Sequence, residues 1–364
     1  MNILFIAARQ HTNYNGIFKS LKKKNNIFFK STYKSRIENY NLVKPDILKQ
    51  SLISKLILIF LGKDKIKFYY FPKIFEYYKY LKRVKPNLVI LRITGRFNLY
   101  LNLIFLSFFN CKILCHEQKV LSRRTLKKSS IKNFLLYLEW FFLKFFFNIR
   151  LYSPIYKKAD KDFFYLPFVT DLKKKRFLRN KKTNFITIGK FEERKNYIFL
   201  LSVLKKLKTN FSLLIIGENS NYKHSQNLKK IKKYIRFCGL QKKIKIKVNV
   251  PNKKINSFFK NKGLFILPSC NEPASISILE SISFGVPVIC SDTCGTRTYV
   301  KEDINGFIFK TNSKTSLLNK INFYLNSKKK FEKYSKNCLQ YSSSELSSLN
   351  FNFHFNKILE SYRD

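Results

Sequence analysis

The run Phe265-Ile-Leu-Pro-Ser-Cys-Asn-Glu-Pro-Ala-Ser-Ile-Ser-Ile-Leu-Glu-Ser-Ile-Ser-Phe-Gly-Val-Pro-Val-Ile-Cys290 is the most informative stretch of the chain. The apolar residues Leu264 to Leu267 read as a buried strand that ends at Pro268-Ser269. A polar loop carrying Glu272 follows, and Ser275 stands where a helix N-cap belongs. Ile276 to Phe284 then has helical spacing, with Glu280 in its second turn, and Val286 to Cys290 reads as the next strand. Strand, loop, helix and strand in this order form a βαβ unit, which demands a parallel sheet.

The pattern extends outward from there. Upstream lie strand Asn184 to Ile188, helix Tyr197 to Leu207, strand Ser212 to Ile216, helix Ser225 to Cys238, strand Ile244 to Val248 and a short helix at Ile255 to Lys260. Downstream comes a helix over Ser313 to Tyr324, then a polar helical tail from Lys328 ending in the amphipathic piece Phe353 to Tyr362. Such units make a doubly wound domain whose ligand site belongs at the carboxyl ends of the strands. The first half shows the same alternation more faintly, with strands at Ile3 to Ala7, Leu88 to Leu91 and Lys112 to Cys115, and a last strand at Phe163 to Val169. The charged stretch 171–182 reads as a linker. The expected division is therefore residues 1–170, linker 171–182, residues 183–340, and a terminal helix at 341–364 that returns to the first domain.

Composition agrees with two globular domains in 364 residues, since 45% are hydrophobic and 16% aromatic. The outlier is charge: 72 Lys+Arg against 21 Asp+Glu give +51. Most cations are Lys accompanied by many Asn, Ile, Phe and Tyr, the set that A/T-rich codons encode. Part of the excess is thus compositional, and the rest points to an anionic surface, nucleic acid or phosphorylated substrate. Seven scattered cysteines, without metal-ligand spacing, read as reduced thiols of a cytoplasmic protein, and no metal is expected. The start lacks the basic n-region of a secretion signal, and the uncharged stretch Phe97 to Cys111 is too short and too rich in Asn to span a bilayer. Two apolar-basic segments, Ser51 to Lys65 and Ile131 to Arg150, fit either buried helices or interfacial helices at a membrane.

Two carboxylates eight residues apart, Glu272 in a strand-end loop and Glu280 along the helix, suit a nucleotide sugar. The loop acid can take sugar hydroxyls, the helix N-terminus a diphosphate, and the second acid a ribose. A capped helix with two solvated acids fits the spacing as well.

The stretch resembles the signature of the family 4 retaining glycosyltransferases of GT-B fold, through Leu-Pro-Ser, Glu272, Leu-Glu280-Ser and Gly-Val-Pro-Val. Ile188-Gly-Lys-Phe-Glu-Glu-Arg-Lys-Asn196, Leu214-Ile-Ile-Gly217, Ser291-Asp-Thr-Cys-Gly-Thr296 and Asn305-Gly-Phe-Ile308 resemble the same family's flanking motifs, so the likeness covers the second half. It implies two Rossmann-like domains facing across a cleft, acceptor domain first and donor domain second. It also implies that Glu272 contacts the donor sugar, that backbone at Ala274, Ser275 and Ile276 lies against sugar and diphosphate, and that Glu280 binds ribose. Lys190 and Lys195 would meet the diphosphate, with Gly189 and Gly217 at the bordering turns. Cations there stabilise the charge of the leaving group, so no metal or other cofactor is required. Lys190 stands where the family usually has Arg, and Ser275 where it usually has Gly; the first departure bears on tightness of phosphate binding.

In the first half Lys112-Ile-Leu-Cys-His-Glu117 resembles the family's strand-His turn, which nominates His116. Gly16 in Asn13-Tyr-Asn-Gly-Ile17 would be the glycine of the loop after the first strand. Asp160-Lys-Asp162 imitates a metal-binding pair but precedes a strand instead of ending one. The function implied is transfer of a sugar from a nucleoside-diphosphate donor to a glycan or lipid-linked acceptor hydroxyl, with retention, in surface polysaccharide, lipopolysaccharide or glycolipid synthesis. Peripheral contact with an anionic membrane at the cytoplasmic face would accompany it. The rivals are a basic nucleic-acid-binding protein, which leaves the two-Glu loop unexplained, and an inactive GT-B scaffold.

Overall fold

The computed structural model describes residues 1–11, 14–34, 38, 40–62, 66–92, 95–117, 131–155, 163–170, 182–327 and 331–362. The linker residues 171–181 and Asp160-Lys-Asp162 lie outside the described residues. The chain divides into two units, Met1–Val169 with Ser348–Asp364, and Thr170–Ser347.

The first unit runs β1 (Asn2–Ala7), α1 (Tyr14–Lys22), β2 (Asn26–Ser31), α2 (Leu52–Leu61), α3 (Ile66–Tyr69), α4 (Ile74–Val84), β3 (Leu88–Arg92), α5 (Arg96–Ser107), β4 (Lys112–His116), α6 (Ile131–Phe147), β5 (Ile149–Ser153) and β6 (Phe164–Tyr165). Its sheet has the order β2-β1-β3-β4-β5-β6, and every pair is parallel. β1 is buried on both faces because helices cover both. On one face α1 sets Tyr14, Phe18 and Leu21 at helical spacing against the sheet. Phe5, Tyr14, Phe18 and Phe29 stack there with ring centroids 5.3–6.0 Å apart, each buried ring contributing about 1.5–3 kcal/mol. On the other face α4, α5 and α6 share a core that includes Leu81, Leu103 and Leu143.

Three differences from the sequence reading have local causes. β2 went unseen because Lys30 interrupts its apolar run. β5 was absorbed into the expected helix 131–150, whereas Asn148 at φ 42° ends the helix and the strand starts at the next residue. The seven-residue strand expected at Phe163 to Val169 reduces to two ladder residues, because Pro167 has no N–H to give.

The second unit runs β7 (Asn184–Lys190), α7 (Tyr197–Leu204), β8 (Ser212–Glu218), α8 (Tyr222–Phe237), β9 (Ile244–Val248), α9 (Asn252–Ile255), β10 (Leu264–Leu267), α10 (Ile276–Ser283), β11 (Val288–Ser291), β12 (Gly306–Phe309), α11 (Lys314–Asn326) and α12 (Phe331–Glu345). The sheet order is β12-β11-β10-β7-β8-β9, all parallel. Edge strand β9 exposes Lys245 and Lys247, charges that discourage pairing with another chain. Gly285, at φ 70°, closes α10; a Cβ there would stand 2.5 Å from Ser335 Oγ of α12. The last helix, α13 (Ser348–Glu360), belongs to the first unit, where Phe351, Phe355 and Ile358 join the core that α1 covers.

Candidate functional site

In a sheet of this order the strand sequence reverses direction between β7 and β10, the place where doubly wound sheets bind their ligands. The loop after β7 begins with Phe191, whose buried ring fills the space beside Gly217. A Cβ on Gly217 would lie 2.1 Å from that ring, so β8 must carry glycine there. The chain next makes a 3₁₀ turn over Glu193–Lys195, passes Asn196 in the left-handed region at φ 55°, and enters α7. Gly189 faces this turn, since a Cβ would meet Lys195 Cε and the Tyr197 hydroxyl at 3.1 Å.

The loop after β10 meets it. Cys270 N–H donates to the Arg194 carbonyl at 2.8 Å, locking the loops together. Asn271 takes φ 48°, its N–H donates to Thr293 Oγ1 at 3.1 Å, and the Glu272 carbonyl accepts from Gly295 N–H at 2.8 Å. Glu272 is thereby held with its carboxylate inward. Its Oε2 accepts from Lys195 Nζ and from Arg194 Nη1, the latter at 2.5 Å. Burial pushes the Glu272 carboxyl up, but Lys195 and Arg194 together outweigh it and hold the group below the usual carboxylate range. Arg194 also donates through Nε to Glu192 at 2.6 Å.

Of the residues nominated from sequence, Glu272 and Lys195 come together, with Gly189 and Gly217 making room for the loop that carries Lys195. Lys190 stands apart, one-third exposed, with Nζ 3.7 Å from Glu218. Arg194 joins the cluster although the sequence reading passed over it for the spaced pair Lys190 and Lys195. Ala274, Ser275 and Ile276 lead into α10. Ser275 occupies the N-cap with extended backbone, yet its side chain makes no capping hydrogen bond, and its N–H donates to Thr296 Oγ1 at 3.2 Å. The first-turn N–H groups of α10 therefore gain nothing from the cap residue. Glu280 lies half-buried one turn further on.

In the first unit, register aligns Arg92, His116 and Tyr152 across the carboxyl ends of β3, β4 and β5. The His116 ring stacks on Tyr152 with centroids 4.7 Å apart, and both ring nitrogens are buried without a hydrogen-bond partner among the described residues. Burial first and Arg92 second push its pKa well below the ordinary value, so the imidazole is neutral. It lines a small cavity with Tyr14, Arg92, Pro154 and Leu166. Gly16, expected in a loop, lies instead in the first turn of α1, where a Cβ would stand 2.5 Å from the Val169 carbonyl oxygen. Its close approach is to backbone of its own unit. Among the described residues no group of His, Cys, Asp and Glu could hold a metal ion.

Residues 168–340 match the sequence profile of the family described as glycosyl transferases group 1. The chain is 25% identical over 159 residues to lipopolysaccharide 1,6-galactosyltransferase of Salmonella typhimurium, which covers 42% of this chain and 43% of the relative. It is 28% identical over 163 residues to UDP-Gal:alpha-D-GlcNAc-diphosphoundecaprenol alpha-1,3-galactosyltransferase of Escherichia coli, covering 41% of this chain and 38% of the relative. The matched region is thus less than half of each of these proteins. Among solved structures, Anabaena HepE in complex with UDP and glucose superposes with a TM-score of 0.72 at 14% identity, covering 99% of this chain and 100% of that one. The apo form of the lipopolysaccharide outer core galactosyltransferase WaaB gives 0.62 at 17% identity, covering 98% and 99%. The fold is that of the GT-B glycosyltransferases.

Proposed function

We propose that this chain, whose residues 168–340 match the profile of the group 1 glycosyl transferases and whose fold is GT-B, moves a hexosyl group from a nucleoside-diphosphate sugar to an acceptor hydroxyl with retention of configuration. The observation that carries the reading is the Glu272 carboxylate shared by Lys195 and Arg194 where the loops after β7 and β10 meet. A carboxylate kept ionised can only accept hydrogen bonds, which suits sugar hydroxyls. The cations beside it match a diphosphate, and the uncapped start of α10 adds N–H donors and a positive helix end.

In the reaction the acceptor oxygen bonds to the anomeric carbon as the bond from that carbon to the diphosphate oxygen breaks. The hydroxyl proton passes to the departing diphosphate. Lys195 and Arg194 exchange part of their pairing with Glu272 for the charge that grows on the leaving group, a stabilisation larger in the transition state than in the ground state. Lys190, with its Nζ 3.7 Å from Glu218, would follow. In this reading Glu280 holds the ribose. A surface-glycan or lipid-linked acceptor fits the relatives named above, which are lipopolysaccharide and diphosphoundecaprenol enzymes.

The first unit also favours a bilayer surface as the workplace. No described helix is long and apolar enough to cross a membrane. Yet Phe75 of α4, Phe108 at the C-cap of α5 and Phe141, Phe142, Phe145 and Phe146 of α6 are exposed on or beside helices that cover one sheet face, the composition of an interfacial surface.

The test is incubation with a panel of labelled nucleotide sugars. Transfer or slow hydrolysis that disappears in Glu272→Gln supports the reading. Salt-sensitive RNA or DNA binding, without affinity for any nucleotide sugar, would overturn it.

A further inference from the structure

The first unit has its own point of strand reversal, between β1 and β3. There a cleft is lined by Ala7 and Ala8 after β1, Lys30 and Thr32 at the end of β2, Arg92 at the end of β3, and Asn102 of α5. Lys30 is the unusual member. Only 5% of it is exposed, and among the described residues its ammonium has no hydrogen bond and no carboxylate partner. It lies over the face of the Tyr77 ring, 4.4 Å from Nζ to the centroid. Asp46, its neighbour across a β-bridge, sends its carboxylate to the Tyr80 hydroxyl at 3.0 Å instead. The Tyr77 hydroxyl donates to Asn102 Oδ1 at 2.7 Å, which fixes both the ring under the ammonium and the amide in the cleft wall.

A buried ammonium without a counter-ion is an expensive feature that proteins usually pair or avoid. Nothing negative offsets its desolvation, which lowers its pKa to about 7. The cleft beside it supplies the place for the missing charge, with Arg92 as a second cation on the same wall.

We propose that this cleft is an oxyanion subsite that takes the phosphate or carboxylate of a negatively charged acceptor, with Lys30 as its buried cation. The word acceptor rests on the glycosyltransferase reading; the anion site itself does not. Arg92 lines this cleft and the His116 cavity alike. A ligand whose acidic group sits at Lys30 therefore extends past Arg92 toward His116, which places the body of the acceptor over the ends of β3 and β4. Selection would then act on charge: a neutral analogue of the same acceptor leaves Lys30 buried and uncompensated.

The experiment titrates inorganic phosphate into the full chain by calorimetry at fixed ionic strength. Lys30→Met, Lys30→Arg and Lys55→Met are compared with the parent, Lys55 being an exposed control. UDP is titrated in parallel. We expect one saturable phosphate site in the parent, retained within threefold in Lys30→Arg and Lys55→Met and weakened at least tenfold in Lys30→Met, with UDP affinity unchanged in all. Displacement of phosphate by dodecyl phosphate or by glucuronate then names the source, phosphate ester or carboxylate. Equal phosphate binding in Lys30→Met, or no saturable site in the parent, would overturn the proposal. Should the parent take phosphate at Lys30 but bind no UDP and no nucleotide sugar, the anion site stands and the glycosyltransferase reading falls.

Discussion

Glu272→Gln keeps the shape of the side chain and removes its charge, which isolates what the carboxylate does. Lys195 and Glu272 are 8% and 6% exposed, so water does not rescreen the ammonium when its counter-ion is lost. Breaking such a pair from one side costs ~3–5 kcal/mol. Arg194 is 39% exposed and keeps Glu192, so its share is at most ~1 kcal/mol. The new amide can turn its oxygen to Lys195 and recover about 1 kcal/mol as a neutral hydrogen bond. The net expectation is a second unit destabilised by ~3–4 kcal/mol.

The sign with pH follows from the depressed carboxyl. Its contribution is complete above the unfolded value of 4.5 and is lost as pH falls through the lower folded value. The gap between parent and variant is therefore constant from neutral pH down to that range and closes below it. Hydrogen exchange through a urea series, read separately for peptides of each unit, measures it.

Ligand binding supplies an independent arm. In the parent a diphosphate must draw Lys195 and Arg194 away from Glu272, whereas in the variant it meets cations already released. UDP should bind Glu272→Gln about tenfold more tightly, equivalent to ~1.4 kcal/mol, while sugar transfer falls at least ~100-fold because the hydroxyls have lost their acceptor. A variant as stable as the parent, with UDP affinity unchanged or weaker, would refute the claim that Glu272 restrains these cations.

Lys30→Met should reverse the usual outcome of a core substitution. An amine at about 7 in the folded state and 10.5 unfolded binds fewer protons when folded, so the parent gains stability as pH rises between those values; the variant lacks that slope. It should be the more stable protein at pH 6.5, by up to ~4 kcal/mol, with the advantage shrinking at pH 9.5; urea midpoints at the two pH values decide, and a pH-independent difference would contradict it. Gly217→Ala forces a Cβ to 2.1 Å from the Phe191 ring and should cost ~1–3 kcal/mol by overpacking, checked by the same midpoints; a change within ~0.5 kcal/mol, the scale of a neutral surface substitution, would show that the ring relaxes freely. Phe145→Ser with Phe146→Ser, both exposed in α6, should lower co-sedimentation with anionic vesicles at least ~10-fold, given ~1.5–3 kcal/mol per buried ring, without moving the unfolding midpoint. Undiminished sedimentation would remove α6 from the membrane surface.

Much of the second unit was legible because β8, β10 and β11 are buried along most of their length and flanked by turns, so that each appears as an apolar run, whereas β9 alternates Ile with Lys and β12 was read only as a motif. The loops between β7 and α7 and between β10 and α10 were legible through residue types at fixed spacing. The first unit was harder to read where polar residues enter the sheet, as Lys30 does in β2 and Arg150 in β5. Arg194 was hidden for a different reason. It is adjacent to Lys195, and only the 3₁₀ turn, with Asn196 in the left-handed region, points both side chains at one carboxylate. Ser275 fulfils the position of a cap but not its bond, and its backbone N–H is held by Thr296, brought in from the loop after β11.

Charge is the property that sequence reading handles least well in this chain, and the fold explains why. Seventy-two cations are visible in the sequence, and a solvated Lys interacts with an anion 4 Å away by only ~1 kcal/mol, against ~4 kcal/mol at the effective dielectric of a protein. Exposure therefore sorts them. Lys195, buried beside Glu272, and Lys30, buried beside an open cleft, each stand where a parallel sheet reverses its strand order. One has its counter-charge built in and must release it; the other has none and must be given it. The first arrangement suits a ligand that departs with more charge than it brought, as a leaving diphosphate does, and the second suits a ligand whose charge stays constant through the reaction, as that of an acidic acceptor does.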